Sequence, residues 1–301
     1  MSTAEITAVE LEHEVSGGLF RESWTHLRRN PAAIAGFVIV GLFVITAIFA
    51  PLLAPYDPRD QNLSLLTNGC CPGPSWAHPF GVDDLGRDLL SRVIYGARYS
   101  LLIGVVAVTV GLGIGMILGA AAGFFGGWSD TVIMRCMDVM LAIPGLLLAI
   151  GIVAILGPGL PQIMIAVGVV NIPIFARLLR GSILSQREND FVLAARSVGV
   201  RRHTILVSHI LPNAVSPVIV AGTLALATAI IDVAGLGFLG LGPQDPSTPE
   251  WGTMLTSANR YLQTAPFLAI IPGLAIVISV MGFNLIGDGL REALDPKLRG
   301  R

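Results

Sequence analysis

The residue types that usually carry chemistry are few in this sequence, and lysine is the clearest case. Lys297 is the only lysine among the 301 residues, and it follows Pro296. The phosphate-binding loop of many nucleotide hydrolases needs a lysine directly after a glycine to reach the phosphates. The chain therefore cannot hydrolyse ATP by that route, and any ATP-driven work would need a partner.

The cysteines and histidines do not form a metal-binding pattern. Cys70 and Cys71 are adjacent in a Pro/Gly-rich stretch, and Cys136 lies in an apolar one, so neither a CxxC pair nor a Cys/His cluster exists. His203 and His209 have no carboxylate pair at metal-ligand spacing. We predict no metal site and no cofactor in this chain. The sequence leaves open whether Cys70 and Cys71 form a disulfide or stay free.

Two carboxylates fall in or near apolar stretches, where an ionisable group is functional by default. Asp138 lies about two turns into its stretch, close to Arg135, and we interpret it as structural. Asp232 lies deeper, two thirds of the way along a later stretch. It either faces a pore or pairs within a helix bundle, and the sequence favours neither.

The overall composition is that of a membrane protein. Hydrophobic residues make up 53% of the chain, charged residues 13%, and the mean hydropathy is +0.74. Soluble domains carry about 25% charged residues. The formal net charge is -1 without a dominant basic patch, so we predict the lipid bilayer, and no nucleic acid, as a partner.

Uncharged stretches long enough to cross a bilayer predict an all-α integral membrane protein with six transmembrane helices. The predicted spans are residues 32–53, 99–129, 131–156, 161–179, 212–239 and 261–286. The corresponding divisions of the chain are an N-terminal segment (1–31), a first transmembrane helix (32–54), an extracytoplasmic segment (55–98), a core of five transmembrane helices (99–287) and a tail (288–301). The later half of the extracytoplasmic segment is expected to form a helix leading into the second span.

The distribution of basic residues predicts the orientation. The segments placed inside carry 14 Lys and Arg residues and those placed outside carry five. An excess of basic residues near span ends marks the cytoplasmic side, so both termini are predicted to be cytoplasmic. Leu19, Phe20, Trp24 and Leu27 recur at helical spacing before the first span, which predicts a short interfacial helix.

Four glycines in the second predicted span recur every four residues: Gly111, Gly115, Gly119 and Gly123. This spacing places them on one face of a helix and lets another backbone approach closely. We interpret the stripe as a helix-packing surface with no ligand.

The predicted cytoplasmic loop, residues 180–211, has the most informative pattern. Its first part is a helical segment with Ala194 and Ala195 at the centre, and Gly199 can end it in a left-handed conformation. A second helical stretch begins with Arg201 and Arg202. The two alanines give a low-relief face that could dock in a groove on another protein.

This loop resembles the EAA loop of bacterial ABC-type import permeases. The residues on the family pattern are Ala194, Ala195, Gly199, Ile210, Leu211 and Pro212. Leu193 stands where many members of the family have glutamate. Residues 78–88, 95–98, 238–242, 249–252 and 284–291 resemble, in the same order, segments of the dipeptide/oligopeptide permease C-type subunits. The resemblance covers residues 18–297.

The resemblance implies a type I ABC importer permease fold and a non-catalytic subunit that forms half of a pore for dipeptides or oligopeptides. It implies a homologous B-type permease, two ATPase subunits that bind ATP and Mg, and an extracytoplasmic substrate-binding protein as partners. The residues expected at the ATPase contact are Phe191, Ala194, Ala195, Arg196, Gly199 and Arg201. Asp232 becomes a possible pore residue that could meet the amino terminus of a peptide.

Other functions remain as alternatives. Members of the same family carry nickel complexes or haem instead of peptides. A stand-alone secondary transporter would show two matching interrupted segments in an inverted repeat, and the sequence has no such pair. A membrane-embedded enzyme would need a catalytic set such as HExxH or a Ser/His pair at membrane depth, and none is present.

Overall fold

The computed structural model describes residues 27–66 and 70–294. Helices dominate this part of the chain, with one isolated antiparallel bridge between Val82 and Asp88. The main helices are α1 (Pro31–Ile48), α2 (Leu89–Phe125), α3 (Gly127–Ala142), α4 (Gly145–Leu156), α5 (Leu160–Arg187), α6 (Asp190–Ser197), α7 (Ser216–Leu236), α8 (Trp251–Ala258) and α9 (Phe267–Leu294). The predicted interfacial helix, apart from Leu27, and the tail beyond Leu294 lie outside the described residues.

Five of the described helices are long and apolar enough to cross a membrane. They are α1, α2, α5, α9 and α7 with its π-helical continuation to Leu241. The sixth candidate is the pair α3 and α4, which is bent by 95°. The predicted third span over residues 131–156 thus corresponds to two helices with a sharp bend between them, and counting this pair as one span gives the predicted six.

The break between α3 and α4 has a local cause. Ile143 takes an extended conformation (φ -94°, ψ 129°) because it precedes Pro144, whose ring disfavours helical geometry in the residue before it. Pro144 itself lacks an N–H group and can only begin a new helix. Because residues 139–156 are uncharged throughout, hydropathy alone did not indicate this break.

Helix α2 begins well before the apolar stretch that predicted it. Asp88 caps its N-terminus by accepting a hydrogen bond from the Ser91 backbone N–H at 2.8 Å. The expected helix at the end of the extracytoplasmic segment is thus confirmed as the first turns of a 37-residue helix. Helix α5 likewise continues to Arg187, eight residues past its predicted end.

The centre of the bundle is the packing of α2 against α5, the most extensive helix pair in the described part of the chain. The four glycines of the stripe lie at this contact. A Cβ atom built on Gly111 or Gly119 would lie 2.6 Å or 2.5 Å from the carbonyl oxygens of Gly168 and Ala176. Such distances leave no room for a side chain, so the two backbones meet directly.

The segment between α1 and α2 is held by buried charges. Asp83 accepts a hydrogen bond from Arg87 Nε at 2.7 Å, and Arg92 Nε lies 3.4 Å from the same carboxylate. Arg87 also donates to the carbonyl oxygen of Pro246 at 2.6 Å, which joins this segment to the α7–α8 connection. These charges order the segment. Cys70 and Cys71, in the same segment, form a disulfide with each other.

Candidate coupling site on α6 and the carboxylate on α7

The connection between α5 and α7, residues 188–215, contains the predicted docking element. Helix α6 covers eight residues and ends in a Schellman motif, in which two backbone N–H groups satisfy the final carbonyls. Val200 donates to the Ala195 carbonyl at 3.1 Å, and Gly199 donates to that of Arg196 at 3.0 Å. Gly199 has φ +79°, so the prediction of a left-handed helix end is confirmed.

One side of α6 packs into the bundle. Val192 is fully buried and Ala195 is 8% exposed, and both belong to the same apolar cluster as Ile205 and Ile210. The prediction that Ala194 and Ala195 together form the docking face is therefore corrected. Ala194 is exposed, but Ala195 faces inward because residues 192 and 195 share one side of a helix.

The opposite side of α6 exposes apolar side chains. Leu193 is 64% exposed, Val198 is 79% exposed, and Phe191 is 38% exposed. Arg196 adds a positive charge to the same surface. Sequence reasoning placed Leu193 at a position on the family pattern but missed Val198 as a surface residue. The three-residue spacing of Val192 and Ala195, which places both on one side of the helix, was the sequence signal that could have identified the opposite side as exposed.

A second helical run returns the chain from α6 to the membrane. It starts at Arg202, with Arg201 in an extended conformation before it, which confirms the predicted second helical stretch. Residues 205–210 are π-helical and run directly into the turn that contains Pro212. Proline lacks an N–H group and cannot donate the i to i−4 bond, so a locally wider helix suits this position.

Helix α6 is also tied to the bundle through the end of α5. Arg187 Nη1 donates a hydrogen bond to the carbonyl oxygen of Gly123 at 2.7 Å, which joins the ends of α5 and α2. Asp130 on α3 accepts from Arg180 Nη2 at 2.6 Å. The end of α5 that leads into α6 is therefore joined to both α2 and α3.

The two carboxylates in apolar stretches have different surroundings. Asp138 pairs with Arg177 and lies 3.8 Å from Arg135. Asp232 is half-buried on α7, and no hydrogen bond or ion pair joins it to another described residue. Among residues 27–66 and 70–294, Asp232 thus has no partner that would support the alternative of pairing within the bundle.

Possible metal ligands are scattered in the described part of the chain. No three His, Cys, Asp or Glu side chains in these ranges gather where a metal ion could be held.

Comparison with solved structures identifies the fold. The chain superimposes with a TM-score of 0.55 on an inward-facing MetNI methionine ABC transporter, at 19% identity, over 68% of this chain and 97% of that one. A second chain, from a crystal structure of an amino acid ABC transporter with histidines, gives a TM-score of 0.53 at 15% identity, over 66% of this chain and 92% of that one. The fold is that of a type I ABC importer permease.

Residues 111–300 match the model of the family described as binding-protein-dependent transport system inner membrane component, and the chain belongs to this family. Residues 18–68 match the N-terminal transmembrane domain of oligopeptide transport permease C. The chain is thus a multi-pass permease subunit of an ABC importer in the bacterial plasma membrane.

Two relatives are similar over nearly the whole chain. The dipeptide transport system permease protein DppC of Alkalihalophilus pseudofirmus is 49% identical over 280 residues, 93% of this chain and 90% of the relative. The glutathione transport system permease protein GsiD of Escherichia coli O157:H7 is also 49% identical, over 282 residues, 93% of this chain and 91% of the relative.

Proposed function

We propose that this chain forms one half of the translocation pore of an ATP-driven importer for dipeptides or oligopeptides. The similarity to relatives whose names specify dipeptide, di/tripeptide and glutathione transport supports peptides as the solute class. The second half is a homologous B-type permease subunit, and an extracytoplasmic binding protein delivers the peptide. The excess of basic residues in the α5–α7 connection and near the ends of the chain supports cytoplasmic termini.

We propose further that α6 is the coupling helix that docks on a partner ATPase. The observation that carries this proposal is the two-sided character of α6. Its outer side exposes Leu193 and Val198, whereas its inner side buries Val192 and Ala195 in the bundle core. Exposed apolar side chains next to a charged rim are typical of a protein interaction surface.

In this mechanism the ATPase subunits bind ATP and Mg, and this chain contributes no catalytic group. Closure of the ATPase dimer moves α6, and the packed inner side of α6 transmits the displacement to α2, α3 and α5. The pore then changes from inward-open to outward-open. Such a step needs a stiff contact, because close-packed cores shift between discrete arrangements and do not deform continuously.

Replacement of Gly199 tests the coupling role. In Gly199→Val, a β-branched residue must adopt φ +79°, which costs about 1–3 kcal/mol or forces the end of α6 to rearrange. We expect transport per ATP hydrolysed to fall by about 5- to 150-fold in proteoliposomes that contain the whole complex. Insertion into the membrane should be unchanged, because open space surrounds Gly199.

Gly181→Val is the matched control. Gly181 lies near the same end of the bundle, inside α5, with ordinary helical geometry and nothing within 4 Å of a Cβ atom. Normal coupling in Gly199→Val would refute the role assigned to α6. Uptake that continues after the ATPase subunits are omitted would instead refute the importer mechanism as a whole.

A further inference from the structure

Helix α7 has one face that the described part of the chain leaves open. It packs chiefly against α9, α2 and α5, with smaller contacts to α8 and α4. Thr228 and Ile231 on the remaining face are exposed, and Asp232 and Gly235 are half-buried. These positions follow each other at helical spacing, so they form one continuous stripe along α7.

The composition of this stripe differs from that of a lipid-facing helix. Helix α1 lies at the edge of the bundle, and its exposed side chains are uniformly apolar: Ile34, Phe37, Val38, Leu42, Val44, Ile45 and Ile48. The α7 stripe contains a hydroxyl, a carboxylate and a glycine instead. A hydroxyl and a carboxylate are unfavourable in contact with lipid tails. We therefore do not expect lipid to cover the α7 stripe.

Asp232 lies deep in the span. The apolar helix runs over Ser216–Leu241, and Asp232 is nine residues before its end. The regular helix ends at Leu236, and the last residues of the span include a kink at Gly240. Measured from the other end at 1.5 Å per residue, Asp232 lies about 24 Å from Ser216, inside the span and away from its start. Carboxylates at this depth face a bundle interior or a water-filled cavity, and they mark substrate or ion pathways.

We propose that the α7 stripe lines the solute pathway and that Asp232 is a specificity-determining residue for the positively charged α-amino group of a peptide. This inference rests on the proposed function, since the pathway and the peptide both come from it. Charge complementarity selects the occupant: an unpaired carboxylate in a surrounding of low dielectric constant attracts an ammonium group much more strongly than it would in water.

The neighbours of Asp232 suit this role. Thr228 lies one turn earlier, and its hydroxyl donates to the Ala225 carbonyl at 3.0 Å, which leaves its oxygen free to accept from an ammonium. Gly235 lies one turn later, and a Cβ atom there would meet nothing nearer than Leu146 Cδ1 at 4.0 Å. Space and a second acceptor therefore flank the carboxylate.

The first test measures uptake of dialanine by the full complex in proteoliposomes. Asp232→Asn keeps the size of the side chain but removes its charge, and we expect at least about tenfold slower uptake. ATP hydrolysis and assembly with the second permease should be unchanged. Asp232→Glu should restore most of the uptake. Asp138→Asn, which loses a carboxylate already paired with Arg177, is the control and should transport normally.

The second test separates binding of the amino group from a structural role. The wild-type complex of the permease and ATPase subunits, without the binding protein, is heated in detergent with dialanine or with N-acetyl-dialanine at equal millimolar concentration. Dialanine should raise the melting temperature more, and Asp232→Asn should abolish the difference. Equal shifts in the wild type, normal uptake in Asp232→Asn, or failure of that variant to assemble would each overturn the inference. A wild-type complex with no ATP-dependent peptide uptake would instead count against the proposed function.

Discussion

The contact between α2 and α5 gives the sharpest stability prediction, because one helix contains a glycine at the contact and another glycine away from it. In Gly119→Ala the new Cβ atom would lie 2.5 Å from the Ala176 carbonyl oxygen and 3.1 Å from the Ala176 Cα atom. Both atoms belong to the backbone of α5, so a side-chain rotation cannot relieve the clash. The helices must separate, and overpacking of this kind costs about 1–3 kcal/mol.

Gly113→Ala makes the same chemical change on the same helix without the clash. Gly113 is exposed, and nothing lies within 4 Å of a Cβ atom built there. Alanine is favoured over glycine inside a helix by about 0.5–1 kcal/mol, so this variant should be as stable as the wild type or slightly more stable. The difference between the two variants therefore isolates the packing at the α2–α5 contact.

The assay is equilibrium unfolding of the purified protein in mixed micelles by titration with SDS, followed by helical circular dichroism. We expect the free energy of unfolding of Gly119→Ala to be lower than that of Gly113→Ala by about 1–3 kcal/mol, the overpacking cost alone, because both variants gain the same helix preference of alanine over glycine. Equal unfolding curves for the two variants would show that the glycine stripe is not a close-packed contact. That result would also remove the stiff link on which the coupling mechanism depends.

Two further predictions concern the α1–α2 segment and the α7–α8 connection. Asp83→Asn should leave the buried Arg92 without its carboxylate partner and Arg87 with only Asp84, 3.9 Å away. We expect a cost of about 3–5 kcal/mol, detected as faster proteolysis of the α1–α2 segment; wild-type resistance would contradict it. Burial raises the pKa of Glu250 above its ordinary value of 4.5 despite hydrogen bonds from Gly252 and Thr253. The folded state therefore holds this proton more tightly than the unfolded state, so its contribution should be complete below the ordinary pKa and be lost as the pH rises through the raised pKa. Melting curves across this range should show a weaker pH dependence in Glu250→Gln, and an unchanged dependence would contradict the assignment.

Local residue properties were sufficient for much of the fold. Hydropathy predicted the membrane spans because each helix must satisfy its own backbone hydrogen bonds in lipid, and this requirement leaves long apolar runs in the sequence. The left-handed end of α6 was readable from Gly199 because glycine adopts positive φ without steric cost. The four-residue spacing of glycines similarly indicated a close helix contact before its partner helix was known.

Tertiary structure decided which side of each helix faces the bundle and which charges meet. Ala194 and Ala195 are identical and adjacent, yet only Ala195 is buried, because the core formed by α5 and the π-helical run lies on its side of α6. Asp138 has Arg177 as a partner 39 residues away, whereas Asp232 has none among the described residues. Contacts between distant segments depend on how helices pack, and local sequence patterns do not contain that information.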